Sequence, residues 1–189
     1  KTGSNYQKEF QKLFMRFQEK LTPMQWADIY KDLVYWELEL DKSENKEMQE
    51  ILESQKQEAN TEFCKFVSNN YINWLDNEED EETPVMSHNL LEKKVFPHLS
   101  ESRPTFVVLI DNLRLDQFKT ILPVITESYK QQKEDLFYSI LPTATQYSRN
   151  SIFSGLLPSE IEDEFPNYWK NDEDEGGKNL YEEQLLGEL

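Results

Sequence analysis

The chain has 189 residues and a formal net charge of -17 at pH 7. So large a negative charge repels a phosphate backbone and argues against direct DNA binding. The single Cys64 excludes an internal disulfide and favours a cytoplasmic location, and no apolar run is long enough to predict a membrane span. Because the sequence starts without Met, we expect it to be part of a longer protein.

Residues 1–76 are predicted to form an antiparallel bundle of three amphipathic helices. A capping-box pattern at Thr22 and Gln25 marks the start of the second helix, and the third is expected to begin at Asp41 or Ser43. We interpret the aromatic stripes as core, with a ligand-binding surface as the remote alternative. The apolar positions that recur at helical spacing are Phe10, Leu13, Phe14, Phe17, Leu21, Trp26, Ile29, Tyr30, Leu33, Leu40, Met48, Ile51, Leu52, Ala59, Phe63, Phe66 and Val67.

A polar, acidic stretch separates the predicted bundle from the rest of the chain. Six of the seven residues from Asp76 to Glu82 are acidic, and Thr83-Pro84 follows them. Such a run is typical of a solvated loop, although cation binding is an alternative. We therefore predict a linker over residues 77–86 and a second domain over residues 87–189.

The hydrophobic pattern changes in this second part. Thr105–Ile110 is an unbroken apolar run rich in β-branched residues, and Leu136–Leu141 is similar, so both are predicted to be strands of a buried parallel sheet. Helical patterns follow at about 113–128 and at 143–154, where Gly155 provides a stop, with a final helix near 181–186. The predicted fold class is α plus α/β.

Asp111 follows the first predicted strand directly. Ligands of open parallel sheets bind beyond the carboxyl ends of the strands, and a carboxylate there suits a divalent metal. The position is equally consistent with a residue that caps the following helix.

Hydroxyl groups are concentrated after the second predicted strand, in the segment Pro142–Asn150. A helix N-terminus favours anions, and a hydroxyl nucleophile that attacks phosphorus needs such a place together with a metal. The alternative interpretation is an ordinary capping box formed by Thr143 and Gln146.

These two segments together resemble a PglZ domain of the alkaline phosphatase superfamily. The resemblance is carried by Ile-Asp-Asn-Leu-Arg at 110–114 and by Leu-Pro-Thr-Ala-Thr-Gln-Tyr-Ser-Arg-Asn-Ser-Ile-Phe-Ser-Gly-Leu-Leu-Pro at 141–158. In the first third, Trp26–Tyr30 and Leu33–Leu40 resemble the helical bundle that PorX-type response regulators place before this domain. The resemblance thus implies a three-helix bundle followed by the first part of an alkaline-phosphatase-like α/β domain, truncated at residue 189.

The resemblance implies a zinc-dependent phosphodiesterase, acting on nucleotides or oligonucleotides and regulating type IX secretion through a two-component system. Thr145 would be the nucleophile and a metal ligand, Asp111 a second metal ligand, and Asn112 and Arg149 substrate-binding residues. The complete domain would hold two divalent metals. His88 and His98 match none of the remaining ligands, which we expect outside this chain, so the chain alone is expected to be inactive.

The same resemblance implies partners. They are a receiver domain, the rest of the PglZ domain, a histidine kinase and a sigma factor. The aromatic residues Trp26, Tyr35 and Trp36 exceed what one face of a short helix buries. This predicts self-association, for instance as a homodimer, or contact with other parts of the longer protein. The alternative function is a non-catalytic module that binds a sigma factor or kinase and transmits a signal.

Overall fold

The computed structural model describes residues 2–17, 19–43 and 45–189 and is mostly helical. Two compact units are present: the first unit comprises Lys1–Pro84 and Leu113–Glu134, and the second unit comprises Val85–Asn112 and Asp135–Leu189. None of the described helices combines the length and the hydropathy that crossing a membrane requires.

The first unit contains the predicted three helices, α1 (Thr2–Arg16), α2 (Pro23–Ser43) and α3 (Lys46–Asp76). Aromatic contacts show that neighbouring helices run antiparallel. The rings of Tyr6 and Trp36 are 5.3 Å apart, and those of Phe17 and Trp26 are 6.0 Å apart, so the end of α1 meets the start of α2. Trp26 also contacts Phe63, in the second half of α3, with a ring separation of 5.5 Å.

The bundle core is apolar, and among its described residues Gln55 is the buried polar side chain. Tyr6 donates its hydroxyl to Gln55 Oε1 at 2.9 Å, and Gln55 Nε2 donates to the Phe10 carbonyl at 3.1 Å, so the amide is satisfied on both sides. Burial raises the pKa of Tyr6 to about 12. The buried hydrophobic residues of this core are Tyr6, Leu13, Phe17, Leu21, Trp26, Ile29, Leu33, Trp36, Leu40, Leu52 and Ala59.

One helix start was predicted correctly and one was not. At α2 the Gln25 amide donates to Thr22 Oγ1 at 3.2 Å, and the Thr22 amide donates to Gln25 Oε1 at 2.8 Å, which confirms the capping box. The predicted start of the third helix at Asp41 or Ser43 is wrong, because α2 continues to Ser43. Asn45 caps α3 instead, and its Oδ1 accepts the backbone N–H three positions further on at 3.1 Å.

Helix α4 (Leu115–Thr126) forms where a helix was predicted and packs against α2 within the first unit. Pro123 lies inside α4 and does not end it, since the helix continues for three residues beyond. After α4, Glu134 accepts a hydrogen bond from Lys119 Nζ at 2.6 Å, an ion pair that ties the following segment back to the helix.

Neither predicted strand forms in the part of the chain that the structure describes. The pairing found there consists of a parallel bridge between Met86 and Tyr138 and an antiparallel bridge between Ser100 and Arg103. Residues 106–110 are exposed, with Phe106 at 87%. An apolar run becomes a strand only beside a partner that completes its hydrogen-bond ladder, and the described residues place none beside this run. The predicted α/β architecture is corrected to a mostly helical one.

The second unit is built around α5 (Thr145–Ser154), α6 (Pro158–Glu164) and α7 (Glu182–Glu188). One apolar cluster of this unit contains Ile161, Trp169 and Leu185, and further hydrophobic residues are buried at Met86, Leu91, Ile140 and Ile152. Gly155 ends α5 with a left-handed φ of 69°, which confirms the predicted helix stop. Helical turns at Ser87–Asn89, Leu91–Val95 and Phe96–His98 complete the unit.

The aromatic residues that predicted self-association are mostly inside the bundle. Trp26 and Trp36 are only 6% and 9% exposed, whereas Tyr35 is 55% exposed. The excess aromatic surface that motivated the prediction is therefore absent at both tryptophans. The homodimer itself stays a prediction.

Candidate functional site

Asp111 and Asn112 form a turn at the end of the extended segment 105–110. Asn112 has a φ of 59°, in the left-handed region that asparagine enters more readily than most residues. The turn leaves the Asp111 carboxylate 44% exposed. Asp111 does not cap α4, because Arg114 occupies that place and its backbone N–H donates to Gln117 Oε1 at 3.1 Å.

Thr145 is the first residue of α5, and its hydroxyl donates to Asp111 Oδ2 at 3.3 Å. Ala144 occupies the cap position, so no side chain competes with a ligand for the first amides of the helix. The predicted Thr143 capping box is wrong. Helix α5 starts two residues later, and Gln146 Nε2 donates instead to the Lys170 carbonyl at 2.6 Å.

Arg149, one turn beyond Thr145, lies between two carboxylates. Its Nη1 donates to Asp111 Oδ2 at 3.2 Å, the same oxygen that Thr145 contacts, and its Nη2 donates to Glu182 Oε2. The Glu182 side chain is 17% exposed and that of Arg149 28%. Hydrogen bonding to Glu182, followed by that to Asp111, raises the pKa of Arg149.

The structure thus brings together three of the four predicted site residues. Asp111, Thr145 and Arg149 meet at one carboxylate oxygen although up to thirty-eight positions separate them in the chain. Asn112 lies beside them in sequence, but its side chain is exposed and forms no hydrogen bond to the other three. We call Asp111, Thr145 and Arg149 the rim cluster.

The segment from 170 to 182 surrounds the start of α5. Asn179 Nδ2 donates to the Thr145 carbonyl and to Asn150 Oδ1, each at 3.1 Å. Asn150 is 1% exposed, and its Nδ2 donates to the Lys178 carbonyl at 3.1 Å. These bonds hold the first turns of α5, and hence Thr145, in a fixed place.

A second set of polar contacts also holds α5 in place. Ser148 Oγ lies 2.9 Å from Ser139 Oγ and 3.2 Å from Ser87 Oγ, and the Ile140 amide donates to Ser87 Oγ at 3.1 Å. Ser87 is fully buried. The three hydroxyls satisfy one another and fix α5 to the extended residues before it, so we interpret them as structural.

The rim cluster places a carboxylate beside a hydroxyl oxygen. A carboxylate and a hydroxyl oxygen are ligands that divalent metals accept. However, the described residues contain no group of three or more His, Cys, Asp or Glu side chains that could hold a metal ion. Among the described residues, Asp111 and Thr145 therefore do not belong to a complete metal site.

Sequence reasoning missed Glu182, Asn179 and Asn150. Asn150 lies inside the quoted motif, and its polarity at a helix position facing the interior was the available signal. Glu182 and Asn179 lie thirty-three and thirty-four positions beyond their partners Arg149 and Thr145. Nothing in their local sequence distinguishes them from other surface residues.

Comparison with known sequence families gives two adjoining matches. Residues 1–75 match the family described as the PorX response regulator linker domain. Residues 90–188 match the family described as the BREX system PglZ alkaline phosphatase-like domain, and this match covers more than half of the chain. No curated protein matches the chain.

Proposed function

Because the chain belongs to the PglZ alkaline phosphatase-like family and carries a PorX response regulator linker domain before it, we propose that its PglZ domain is a metal-dependent phosphodiesterase under two-component control. The observation that carries this proposal is the rim cluster, in which the Thr145 hydroxyl and the Asp111 carboxylate are 3.3 Å apart. A nucleophile and a metal ligand need such proximity.

In the proposed reaction the Thr145 oxygen forms a bond to phosphorus while the bond to the leaving oxygen breaks on the opposite side. The Thr145 proton is lost to solvent, and the enzyme is left phosphorylated on this residue until water releases the product. In this proposal the Arg149 guanidinium binds a phosphoryl oxygen. Divalent metals, when bound, supply positive charge that favours the deprotonated hydroxyl and offsets charge on the phosphoryl group.

The finer parts of the proposal rest on the family resemblance. We propose zinc as the metal, nucleotides or oligonucleotides as substrates, and regulation of type IX secretion as the role. Asp111 and Thr145 would be metal ligands, and Asn112 and Arg149 would contact substrate. A receiver domain and a histidine kinase are the proposed signalling partners, with a sigma factor as a further candidate.

The proposed domain organisation follows the sequence: a helical bundle over residues 1–76, a linker over 77–86 and the PglZ domain over 87–189. The compact units divide the chain differently, because residues 113–134 are grouped with the bundle. Helix α4 accounts for the difference, since it packs against α2.

The test uses the full-length protein with added Zn²⁺ or Mn²⁺ and bis(p-nitrophenyl) phosphate. We expect Thr145→Ala to lower kcat by about 10⁴-fold or more and to keep bound metal. Asp111→Ala should lose metal as well. Thr143→Ala is the matched control, because Thr143 lies outside the cluster, and it should retain activity. Loss of activity in Thr143→Ala with an active Thr145→Ala would overturn the assignment.

A second candidate function is a non-catalytic module that binds a sigma factor or kinase. It is favoured by the exposed apolar residues 106–110, a surface that a protein partner could cover. The same experiment distinguishes the two functions. A wild-type full-length protein that binds no metal and turns over no phosphodiester, yet captures its sigma factor or kinase, supports the module.

A further inference from the structure

Glu182 lies outside the sequence motifs but makes the more buried of the two contacts to Arg149. Its carboxylate is 17% exposed, against 44% for that of Asp111. A charge-assisted hydrogen bond is stronger where solvent is excluded, so Glu182 is the firmer of the two attachments for the guanidinium.

The present contact between Arg149 and Glu182 uses one nitrogen and one oxygen. Arg149 Nε and Glu182 Oε1 are both buried and have no hydrogen-bond partner among the described residues. A small rotation of the guanidinium would pair these two atoms and give a two-point ion pair through Nε and Nη2. This pairing satisfies both buried atoms and leaves Nη1 directed at the rim cluster.

Nη1 is the atom that now contacts Asp111 Oδ2 at 3.2 Å. If the Asp111 carboxylate binds another group instead, Arg149 Nη1 loses its acceptor. The hydrogen bond from Nη2 to Glu182 remains. The freed N–H then lies beside Thr145, whose hydroxyl is bound to the same Asp111 oxygen at 3.3 Å. An anionic oxygen near Thr145 is the natural replacement acceptor.

From this arrangement we propose that Glu182 is a positioning residue, which holds Arg149 so that Nη1 binds a phosphoryl oxygen of the substrate at Thr145. The inference rests on the proposed function for its substrate class. Glu182 does not touch the substrate and acts only through the guanidinium. Without Glu182, only Asp111 would hold the Arg149 guanidinium, and the orientation of the guanidinium would no longer be fixed.

The chain offers a matched control. Glu183 is the next residue of α7, and its side chain is exposed, so Glu183→Gln makes the same chemical change away from Arg149. Arg149 is one of four arginines in the sequence, so its side-chain NMR signals can be assigned by comparison with Arg149→Lys. Separate Nη proton signals report a guanidinium whose rotation is hindered.

The first measurement needs no activity. In the 189-residue chain, the Arg149 Nη signals should be resolved in the wild type and in Glu183→Gln and averaged in Glu182→Gln. Resolved signals at unchanged positions in Glu182→Gln would overturn the inference.

The second measurement uses the full-length protein and bis(p-nitrophenyl) phosphate. Glu182→Gln should raise KM about tenfold with kcat within about twofold, the size expected for one charge-assisted hydrogen bond, and Glu182→Asp should restore part of the loss. Glu183→Gln should match the wild type. In an Arg149→Gln background, Glu182→Gln should add no further change, because Glu182 acts through Arg149.

Failure of the inference and failure of the proposed function give different results. The proposed function fails if Thr145→Ala keeps turnover, whatever the Arg149 signals show. The inference fails if Glu182→Gln and Glu183→Gln have equal KM values, or if Glu182→Gln changes KM equally with and without Arg149. The latter result would show a general structural role for Glu182.

Discussion

The bundle of the first unit and the α5 region of the second unit are stabilised in different ways. In the bundle, aromatic and aliphatic side chains from three helices bury one another, and the buried amide of Gln55 is satisfied within the core. Around α5, hydrogen bonds from the segment 170–182 add to the contacts of buried apolar residues, which include Ile152 of α5 itself. The bundle is thus an apolar core with regular periodicity, whereas the α5 region combines buried apolar residues with particular polar pairs.

The largest expected effect tests the apolar side of this comparison. Leu40 is fully buried in the bundle core, so Leu40→Ala should lower the free energy of unfolding by about 3 kcal/mol through lost transfer energy and a cavity. Denaturant titration of the 189-residue chain measures it. Met24, in the same helix, is 77% exposed, and Met24→Ala should change stability by less than about 0.5 kcal/mol. Equal effects of the two substitutions on stability would contradict the burial of Leu40 in the core.

The next effect tests the polar side. Asn150→Ala removes the hydrogen bonds to the Lys178 carbonyl and from Asn179 at a position that is 1% exposed. The cost should be about 2 kcal/mol, because the half-buried Lys178 carbonyl loses its donor and the half-buried Asn179 amide loses one of its two acceptors. Hydrogen exchange should show faster opening of α5 with α1–α3 unchanged. Asn167→Ala, at an exposed position, is the control. Exchange that rises equally in the bundle would mean that the two regions do not open separately.

A smaller effect concerns the polar pair within the bundle. Tyr6→Phe leaves the Gln55 carbonyl oxygen buried without its donor and should cost about 1.5 kcal/mol at neutral pH. The pKa of Tyr6 is raised from 10.0 to about 12, so between these values the folded protein keeps a proton that the unfolded protein has lost. The stabilisation that the Tyr6 hydroxyl contributes is therefore fully present below pH 10 and is lost as the pH rises towards 12.

Comparing the two proteins as a function of pH isolates this contribution. The stability difference between wild type and Tyr6→Phe should shrink between pH 10 and pH 12. A difference that stays constant across this range would show that Tyr6 titrates normally in the fold.

The smallest effect compares two threonines with similar sequence patterns. Thr22→Ala removes an observed cap and should cost about 1 kcal/mol. Thr143→Ala, three residues before Gln146 in the same spacing, removes no cap and should cost less than about 0.5 kcal/mol. Thermal unfolding of both variants measures the difference. A larger loss of stability in Thr143→Ala than in Thr22→Ala would show that Thr143 does form a capping box at α5.

The two regions also differ in how much of them could be predicted. Helical periodicity predicted α1 to α3 and the Thr22 cap because those features are local in sequence. Apolar runs at Thr105 and Leu136 predicted strands, but periodicity carries no information about which neighbour completes a ladder. Among the site residues, Asp111, Thr145 and Arg149 were found through a motif. Glu182 was missed because an ion pair thirty-three positions away leaves no local pattern.

The four tryptophans give the two units separate optical signals. Trp26, Trp36 and Trp74 belong to the first unit and Trp169 to the second, and none is more than 9% exposed. Intrinsic emission of the chain is therefore dominated by the bundle. Replacing those three by phenylalanine leaves one indole, whose ring lies 5.8 Å from that of Tyr147, two residues after Thr145. The intrinsic fluorescence of such a variant would report changes at the rim cluster without an attached dye.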